Sequence, residues 1–299
     1  MIDKLEMFIA LAKEKHFGRA AEEVGVTQPT LSAAVKQLED QLGVMLVRRG
    51  SRFLGLTPEG QRVLEWARRI VGDARAMREE VRAAKHGLSG HVRIAVIPTA
   101  LSMVADLTKP FSDENPNTTF SILSRSSIEI LSLLENLEID AGITYLDNEP
   151  LGRMTTVPLY LENYRLVTAA DSDLAKRATI SWRAVSELQL CLMTRDMQNR
   201  RIVDQHLAEA GLTAQPTLES DSMIALFSHV RTGKWSSVMP LKLIETFGPW
   251  PDVTAIPIVE PEVTHQVGLI AAYREPHTPI ISVLLKRAKA LAKRTSAER

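Results

Sequence analysis

A short predicted helix near the N-terminus has a face of side chains that suit hydrogen bonding to the edges of DNA bases. Apolar residues recur every three or four positions from Leu31 to Leu42, which predicts a helix with one buried face. The opposite face is polar, short or flexible, as a helix in a major groove must be. The candidate base contacts are Gln28, Thr30, Ser32, Ala33 and Lys36. The candidate phosphate contacts, on a predicted hairpin, are Arg48, Arg49 and Arg52.

Three helices are predicted to position this face. The first spans residues 2–15 and has an apolar stripe, and a second, from Arg19 to Val24, is followed by a tight turn at residues 25–27. Thr27 can cap the third helix, and Pro29 fits in its first turn, where no intrahelical donor is needed. Taken alone, this pattern also fits a small helical subdomain with an ordinary solvated surface.

Several strings make the segment more specific. They are Ala20-Ala21, Val26-Thr27-Gln28-Pro29-Thr30-Leu31-Ser32, Gln37-Leu38-Glu39, Leu42-Gly43-Val44 and Leu56-Thr57-Pro58-Glu59-Gly60. With them, the segment resembles the N-terminal winged helix-turn-helix of the LysR-type transcriptional regulators. The resemblance implies binding to double-stranded DNA at a dyad-symmetric promoter site, with two heads in successive major grooves. Family members often have a bulky basic or polar residue where this chain has Ala33, so the resemblance does not carry over the base preference.

A long helix is predicted to follow this head and to end near His86. Thr57 is a natural N-cap, and Pro58 occupies the first helical position. Apolar residues then step by four and three over three heptads: Val63, Ala67, Ile70, Ala74, Met77, Val81 and Ala84. So narrow a stripe favours pairing with a second helix, although packing on its own domain is the alternative. The resemblance implies a homodimer through this helix.

The rest of the chain reads as alternating strands and helices, which predicts parallel βαβ units. It resembles the effector domain of the same family, a two-lobed α/β fold like the periplasmic binding proteins. The expected divisions are an all-α winged helix-turn-helix at 1–58, a dimerisation linker helix at 59–87 and an effector-binding domain at 88–299. Within that domain, lobe I is expected at about 91–160 and 266–299, and lobe II at about 161–265.

Three predicted strand ends have side chains that could bind an effector. Ligands of such sheets lie beyond the carboxyl ends of strands, and helix N-termini attract anions. Arg125 or Arg195 could add a bidentate contact to a carboxylate. By the residues and by position in the family, the candidates are Thr99, Ala100, Ser124, Arg125, Ser126, Ser127, Thr194, Arg195 and Ser236. Each alone is equally explained by helix capping, but together they predict a small anionic metabolite of unidentified chemistry.

Composition excludes several other classes. Lysine plus arginine and aspartate plus glutamate both total 36, so the chain is neutral overall. No phosphate-binding loop, nucleophile elbow, zinc-protease motif or dinucleotide fingerprint is found, so no enzyme, catalytic residue, metal ligand or cofactor is expected. The single cysteine, Cys191, cannot form an internal disulfide and is predicted to be a small buried residue. No apolar run could span a membrane and no signal peptide is recognised, which predicts a cytoplasmic protein.

These features together predict a LysR-type DNA-binding transcription regulator controlled by a small molecule bound between two lobes. The resemblance implies a homotetramer, assembled as a dimer of dimers, and RNA polymerase is a further expected partner. Activation and repression of transcription are both compatible with this interpretation. The alternative is a ligand-independent architectural protein or repressor, although such a protein would not need some 210 residues of α/β domain after the linker helix.

Overall fold

The computed structural model describes residues 1–49, 53–147, 150–211, 213, 215–248 and 250–297. The chain divides into two compact units, which are described separately. The head unit comprises Met1–Leu88, Glu135–Glu138 and Pro276–Pro279, and the effector unit comprises Ser89–Leu134, Ile139–Glu275 and Ile280–Arg299. The elements of the head are α1 (Ile2–Glu14), α2 (Phe17–Glu23), α3 (Gln28–Leu42), β1 (Val47–Arg49), β2 (Phe53–Leu56) and α4 (Pro58–His86).

Capping residues set the helix boundaries of the head. The Thr27 hydroxyl accepts a hydrogen bond from the backbone N–H of Thr30 at 3.4 Å, as predicted for the start of α3. Helix α2 begins at Phe17, two residues earlier than expected, because His16 caps it. The His16 Nδ1 atom accepts from the backbone N–H groups of Gly18 and Arg19. With β1 and β2 paired antiparallel, the predicted winged helix-turn-helix is confirmed.

A buried carboxylate attaches the wing to α3. Glu39 is almost fully buried on the apolar face of the helix. Its Oε1 atom accepts hydrogen bonds from the backbone N–H groups of Leu46 and Val47, at 2.9 and 3.1 Å. Buried polar groups need such partners, because an unpaired one costs free energy. Glu39 therefore fixes the position of the start of β1 relative to α3.

Helix α4 confirms the predicted long helix. It has 29 residues and a length of roughly 43 Å. The Thr57 hydroxyl accepts from the backbone N–H of Gly60 at 2.9 Å and donates to the Met45 carbonyl at 2.6 Å.

The residues of the predicted apolar stripe of α4 differ in exposure along the length of the helix. Ala67 and Ala74 are buried, and Ala67 belongs to the core of the head together with Val71. Further along the helix, Met77 is 60% exposed and Val81 53% exposed, and Trp66 and Ile70 are also exposed. The helix thus packs on its own domain and also presents an apolar surface.

The effector unit has a mixed sheet in the order β4-β3-β5-β12-β6-β11-β7, with β10 added beside β6, and a separate two-stranded parallel sheet of β8 and β9. Its strands are β3 (Gly90–Val96), β4 (Thr118–Ser124), β5 (Ala141–Tyr145), β6 (Met154–Ala169), β7 (Ile180–Ser181), β8 (Cys191–Met193), β9 (Leu218–Ser220), β10 (Ser237–Pro240), β11 (Val253–Val259) and β12 (Thr264–Ala272). Its helices are α5 (Val104–Glu114), α6 (Ser127–Glu135), α7 (Trp182–Ser186), α8 (Gln198–Glu209), α9 (Met223–Val230), α10 (Leu241–Phe247) and α11 (Pro279–Ala297). The two-lobed α/β fold is confirmed.

Strand β6 is longer than the residue pattern predicts, because after Pro158 that pattern indicates a strand only at residues 164–168. It is one strand of 16 residues. Its first part pairs antiparallel with β12, and its second part pairs antiparallel with β10 and β11. Pro158 lies inside it and would normally interrupt a ladder. Here the register shifts between Val267 and Gly268 of β12, so the strand continues past the proline.

Candidate functional site

The outer face of α3 carries the residues that the sequence predicts as base contacts. Gln28, Thr30, Ala33 and Lys36 are exposed, while Ser32 is half-buried. The Thr30 hydroxyl lies 2.8 Å from the hydroxyl of Thr27, the residue that caps α3. Thr27 therefore also orients the side chain of Thr30, a candidate base contact. These side chains share the helix surface opposite the buried residues Leu31, Ala34, Val35 and Leu38.

The wing, formed by β1 and β2, carries a basic side chain that follows α3 in the sequence. Arg48 lies on β1 and is exposed. The backbone of Arg49 ends β1, but its side chain lies outside the described residues, as does all of Arg52. Arginine at such positions can hold phosphates and orient the helix, whereas base edges are read by the helix itself.

A cavity in the effector unit lies at the carboxyl ends of strands β3 and β8. The space that admits the centre of a water-sized sphere is about 10 Å³, within about 200 Å³ of space between atoms that includes open solvent. Its lining residues are Ile97, Pro98, Thr99, Ser126, Ser127, Tyr145, Met193, Met197, Gln198 and Asn199. This is the place where open α/β sheets bind ligands. The lining is apolar in part, with hydroxyl and amide groups in between and no charged side chain.

Two helix N-termini meet at this cavity. Ser127 opens α6, and Gln198 and Asn199 open α8. The side-chain amide nitrogen of Asn199 is buried and has no hydrogen-bond partner in the structure. An unpaired buried donor is uncommon and points to an acceptor that the cavity receives. The first-turn N–H groups and the positive ends of both helix dipoles favour a negatively charged acceptor.

Three of the nine predicted effector residues line the cavity, namely Thr99, Ser126 and Ser127. The other six, Ala100, Ser124, Arg125, Thr194, Arg195 and Ser236, are not among the lining residues. Arg125 and Arg195 are exposed, and Arg125 donates to the Ser124 carbonyl at 2.7 Å. Ser236 is buried and donates to the Thr168 hydroxyl.

Sequence reasoning missed Tyr145, Gln198 and Asn199. Tyr145 ends strand β5, which the sequence did predict as a strand, so its position at a strand end was the available signal. Arg200, the residue after Asn199, is fully buried. Arg200 donates to Glu219 at 2.6 Å and to the Met193 carbonyl at 2.9 Å, and this ties α8 to β8 and β9.

A buried carboxylate lies directly behind the cavity. The Tyr145 hydroxyl donates to Glu162, and the Tyr160 hydroxyl donates to the other oxygen of the same carboxylate at 3.3 Å. The Thr99 hydroxyl lies 3.4 Å from that of Tyr145, which connects this cluster to the cavity wall. Burial raises the pKa of Glu162 to about 7, although the tyrosine hydrogen bonds act in the opposite direction. Glu162 therefore changes charge near neutral pH.

The single thiol has a different environment. Cys191 is fully buried on β8, and its sulfur lies 3.7 Å from the Leu226 carbonyl oxygen. Burial raises the pKa of the thiol to about 11, so it is protonated at neutral pH. Because the thiolate is the reactive form, this cysteine is poorly suited to react with oxidants.

Two further features concern the whole of the described chain. Among the residues that the structure describes, no three histidine, cysteine, aspartate or glutamate side chains are grouped so that they could hold a metal ion. None of the helices in those same ranges is long and apolar enough to cross a membrane.

Similarity to known proteins agrees with this architecture. Residues 2–61 match the bacterial regulatory helix-turn-helix proteins of the lysR family, and residues 85–293 match the LysR substrate binding domain. The chain is 31% identical to the HTH-type transcriptional regulator XapR of Escherichia coli K12 over 184 residues, 61% of this chain and 63% of XapR. It is 28% identical to the DNA-binding transcriptional dual regulator OxyR of the same organism, over 98% of this chain and 95% of OxyR.

A solved full-length OxyR variant from Pseudomonas aeruginosa has the same fold. It superimposes with a TM-score of 0.75 at 26% identity, covering 97% of this chain and 94% of that one. The two matching family regions together account for nearly the whole sequence. The chain therefore belongs to the LysR family, and it is a DNA-binding transcription regulator with an effector-binding domain rather than an enzyme.

Proposed function

We propose that this regulator acts in the cytoplasm and is controlled by a small anionic effector, held between the N-termini of α6 and α8. The observation that carries the proposal is the buried, unpartnered amide nitrogen of Asn199 in the cavity wall. The hydroxyl of Thr99 lies in the same wall and could also donate to the ligand. Because the lining has no charged side chain, a single carboxylate or similar monoanion suits the site better than a polyanion.

A ligand panel on the full-length protein tests the effector proposal. Acetate, benzoate and succinate would be compared with inorganic phosphate and with acetamide and benzamide, by thermal shift and calorimetry. We expect at least one carboxylate to stabilise the protein while its amide counterpart does not. Asn199→Ala should weaken that binding, and the exposed Asn117→Ala should leave it unchanged. An absence of any response, or equal binding of acids and amides, would contradict the proposal.

On DNA, we propose that Gln28, Thr30, Ser32 and Lys36 contact bases, with Ala33 against the groove, and that the three wing arginines contact phosphates. Arg48→Ala, like Arg52→Ala, is expected to weaken binding to every sequence and to reduce the salt dependence by about one unit of slope. Gln28→Ala should instead change the preference at one base position. Footprinting and competition with single-base variants separate the two outcomes. Equal losses on all sequences for both variants would contradict the assignment.

Assembly is proposed to use the apolar surface of α4. Trp66, Ile70, Met77 and Val81 are exposed along this helix, and pairing with the same helix of a second copy would cover them. Such a dimer presents two α3 helices to a dyad-symmetric site. We extend the proposal to a homotetramer formed through the effector units, with RNA polymerase as a further partner. Sedimentation of the full-length protein with and without promoter DNA measures each step.

Similarity to OxyR raises peroxide sensing as a second candidate function. Curated relatives carry the description "hydrogen peroxide-inducible genes activator". In this chain the only cysteine is Cys191, which is buried and has a raised pKa. We infer that its signal is not a thiol oxidation. DNA binding should therefore be unchanged by micromolar peroxide, and equally unchanged in Cys191→Ser. A peroxide response that disappears in that variant would restore the redox candidate.

A further inference from the structure

Two histidines from different elements meet head-on inside the effector unit. The Nε2 atom of His206, on α8, lies 3.2 Å from the Nε2 atom of His265, on β12. The two ring centroids are 5.6 Å apart. This is close to the Nε2–Nε2 distance plus the distance from each Nε2 atom to its own ring centre. The rings therefore point at each other almost in line. Neither residue belongs to the cavity lining.

The outer nitrogen of each ring faces a carboxylate. His206 Nδ1 lies 3.0 Å from Glu209, and His265 Nδ1 lies 3.3 Å from Asp147. A carboxylate accepts hydrogen bonds, so each one favours a proton on the Nδ1 atom that it faces. If both rings were neutral with the proton on Nδ1, two Nε2 lone pairs would face each other at hydrogen-bond distance. That arrangement is repulsive, so one Nε2 atom must carry a proton, and if both Nδ1 atoms keep theirs the pair is a cation.

The in-line geometry selects a proton rather than a metal ion. Two imidazoles on a tetrahedral metal approach it at an angle, and the metal needs further ligands. Within the described ranges, no third histidine, cysteine, aspartate or glutamate completes such a site. A proton between two nitrogens at 3.2 Å needs no further partner, because that distance is an ordinary N–H···N hydrogen bond.

We propose that His206 and His265 share one proton, and that this proton fastens helix α8 to strand β12. Helix α8 begins with Gln198 and Asn199, which form part of the cavity wall. This hydrogen bond therefore stabilises that part of the cavity wall in a pH-dependent way. The regulatory consequence rests on the proposed effector cavity, whereas the shared proton itself does not depend on it.

Charged and titratable groups from several elements surround the pair. Glu209 lies on α8 and Asp147 follows β5. Tyr145 on β5 and Tyr164 on β6 contact the His265 ring, and Trp182 on α7 contacts the His206 ring. Glu162 on β6 is the direct strand partner of His265. Two carboxylates at the outer ends thus stabilise one positive charge on the pair.

A second proton would place two like charges 3.2 Å apart in a largely buried place. Burial lowers the pKa of His265 and the neighbouring His206 lowers it further, although Asp147 acts in the opposite direction. The pair is therefore expected to keep the one shared proton and to resist a second. Acidification would then separate α8 from β12.

Histidine hydrogen–deuterium exchange with mass spectrometry on the full-length protein, from pH 4 to 10, tests the shared proton. We expect the two histidines to take up protons in two separate steps and not in one common step. His206→Gln should convert His265 to a single step, and His265→Gln should do the same for His206, so either variant suffices if the other does not fold. His229, whose Nδ1 atom lies 2.8 Å from the Ala225 carbonyl, is the internal control.

Backbone exchange of residues 198–209 tests the support of the cavity wall. Between pH 7 and pH 5 we expect exchange, corrected for its intrinsic pH dependence, to rise about tenfold in α8 of the wild type. The rise should be absent in either glutamine variant. One common titration step for both histidines, a profile that changes on adding zinc or chelator, or a pH-independent α8 would overturn the proposal. None of these measurements uses an effector. Their outcome is therefore independent of the outcome of the ligand panel.

Discussion

The α-carbon of Gly60, in the first turn of α4, lies so close to the backbone of Leu46 that an added β-carbon would overlap the Leu46 carbonyl oxygen. The same turn is held by Thr57, whose hydroxyl donates to the neighbouring Met45 carbonyl. The long helix and the start of the wing are thus in direct backbone contact. Only glycine permits this approach, which explains its place in the Thr57-Pro58-Glu59-Gly60 string.

Gly60→Ala is therefore expected to destabilise the head unit by roughly 2 to 3 kcal/mol, because backbone must move to admit the methyl group. Calorimetric unfolding measures this loss, and DNA affinity should fall with it. Gln61→Ala, at the next and exposed position of the same helix, should change stability by less than about 0.5 kcal/mol. Equal stability of the two variants would contradict the close approach.

Glu39→Ala is expected to release the wing from α3. It removes the acceptor of the Leu46 and Val47 N–H groups in a buried place, at a cost of roughly 2 kcal/mol or more. Amide exchange at these two positions should increase strongly. Glu39→Gln keeps one carbonyl acceptor and should lose less, while the exposed Asp40→Asn is the control. Unchanged exchange in Glu39→Ala would show that the wing is held by other contacts.

Glu162 should make the effector unit less stable as the pH rises. Its pKa is raised from 4.5 to about 7 in the folded protein. A group whose folded pKa is raised contributes stability that is fully present below its unfolded pKa and is lost as the pH rises through the folded one. The window here is about pH 4.5 to 7, and the full difference is about 3 kcal/mol.

Denaturant unfolding at pH 5, 6, 7 and 8 gives the free energy of unfolding of the wild type and of Glu162→Gln. The difference between the two measures the contribution of Glu162. The variant cannot ionise, so its stability relative to the wild type should increase with pH over that window. The exposed Glu187→Gln serves as the matched control and should show a constant difference. A difference curve for Glu162→Gln that is flat, or that slopes the other way, would contradict the raised pKa.

Met77→Glu is expected to weaken the proposed dimer by about tenfold or more, because pairing of α4 would then bury a carboxylate. Sedimentation equilibrium of the full-length protein gives the dissociation constant. Arg82→Glu also introduces an acidic side chain, but five residues along and on another side of the helix, so it should leave the dimer intact. If the two variants dissociate equally, the apolar face of α4 is not the interface.

The sequence predicts the head well because local rules decide it. Helix α3 follows from its apolar period and from Thr27, and α4 from Thr57 and Pro58, all within a few residues of each other. The exact start of α2 needed His16 as a cap, which its residue type alone does not reveal. Which residues of the α4 stripe are buried also depends on which of them meet the rest of the head.

The effector site was harder to predict because distant segments build it. Thr99, Ser126 and Ser127 line the cavity, and each follows a predicted strand. Arg125 and Arg195 follow strands as well but point to solvent, which no local pattern distinguishes. The Glu162 cluster and the His206–His265 pair join residues far apart in sequence, through a strand whose first half was not predicted.

That strand, β6, determines how the effector unit can respond mechanically. From Met154 to Asn163 it is hydrogen-bonded to β12, so the lobes are joined by a paired ribbon and not by single flexible chains. A paired ribbon resists stretching and yields mainly by twisting, which keeps its hydrogen bonds. We therefore expect an effector that moves the lobes to change the twist of this ribbon and to leave its hydrogen bonds intact.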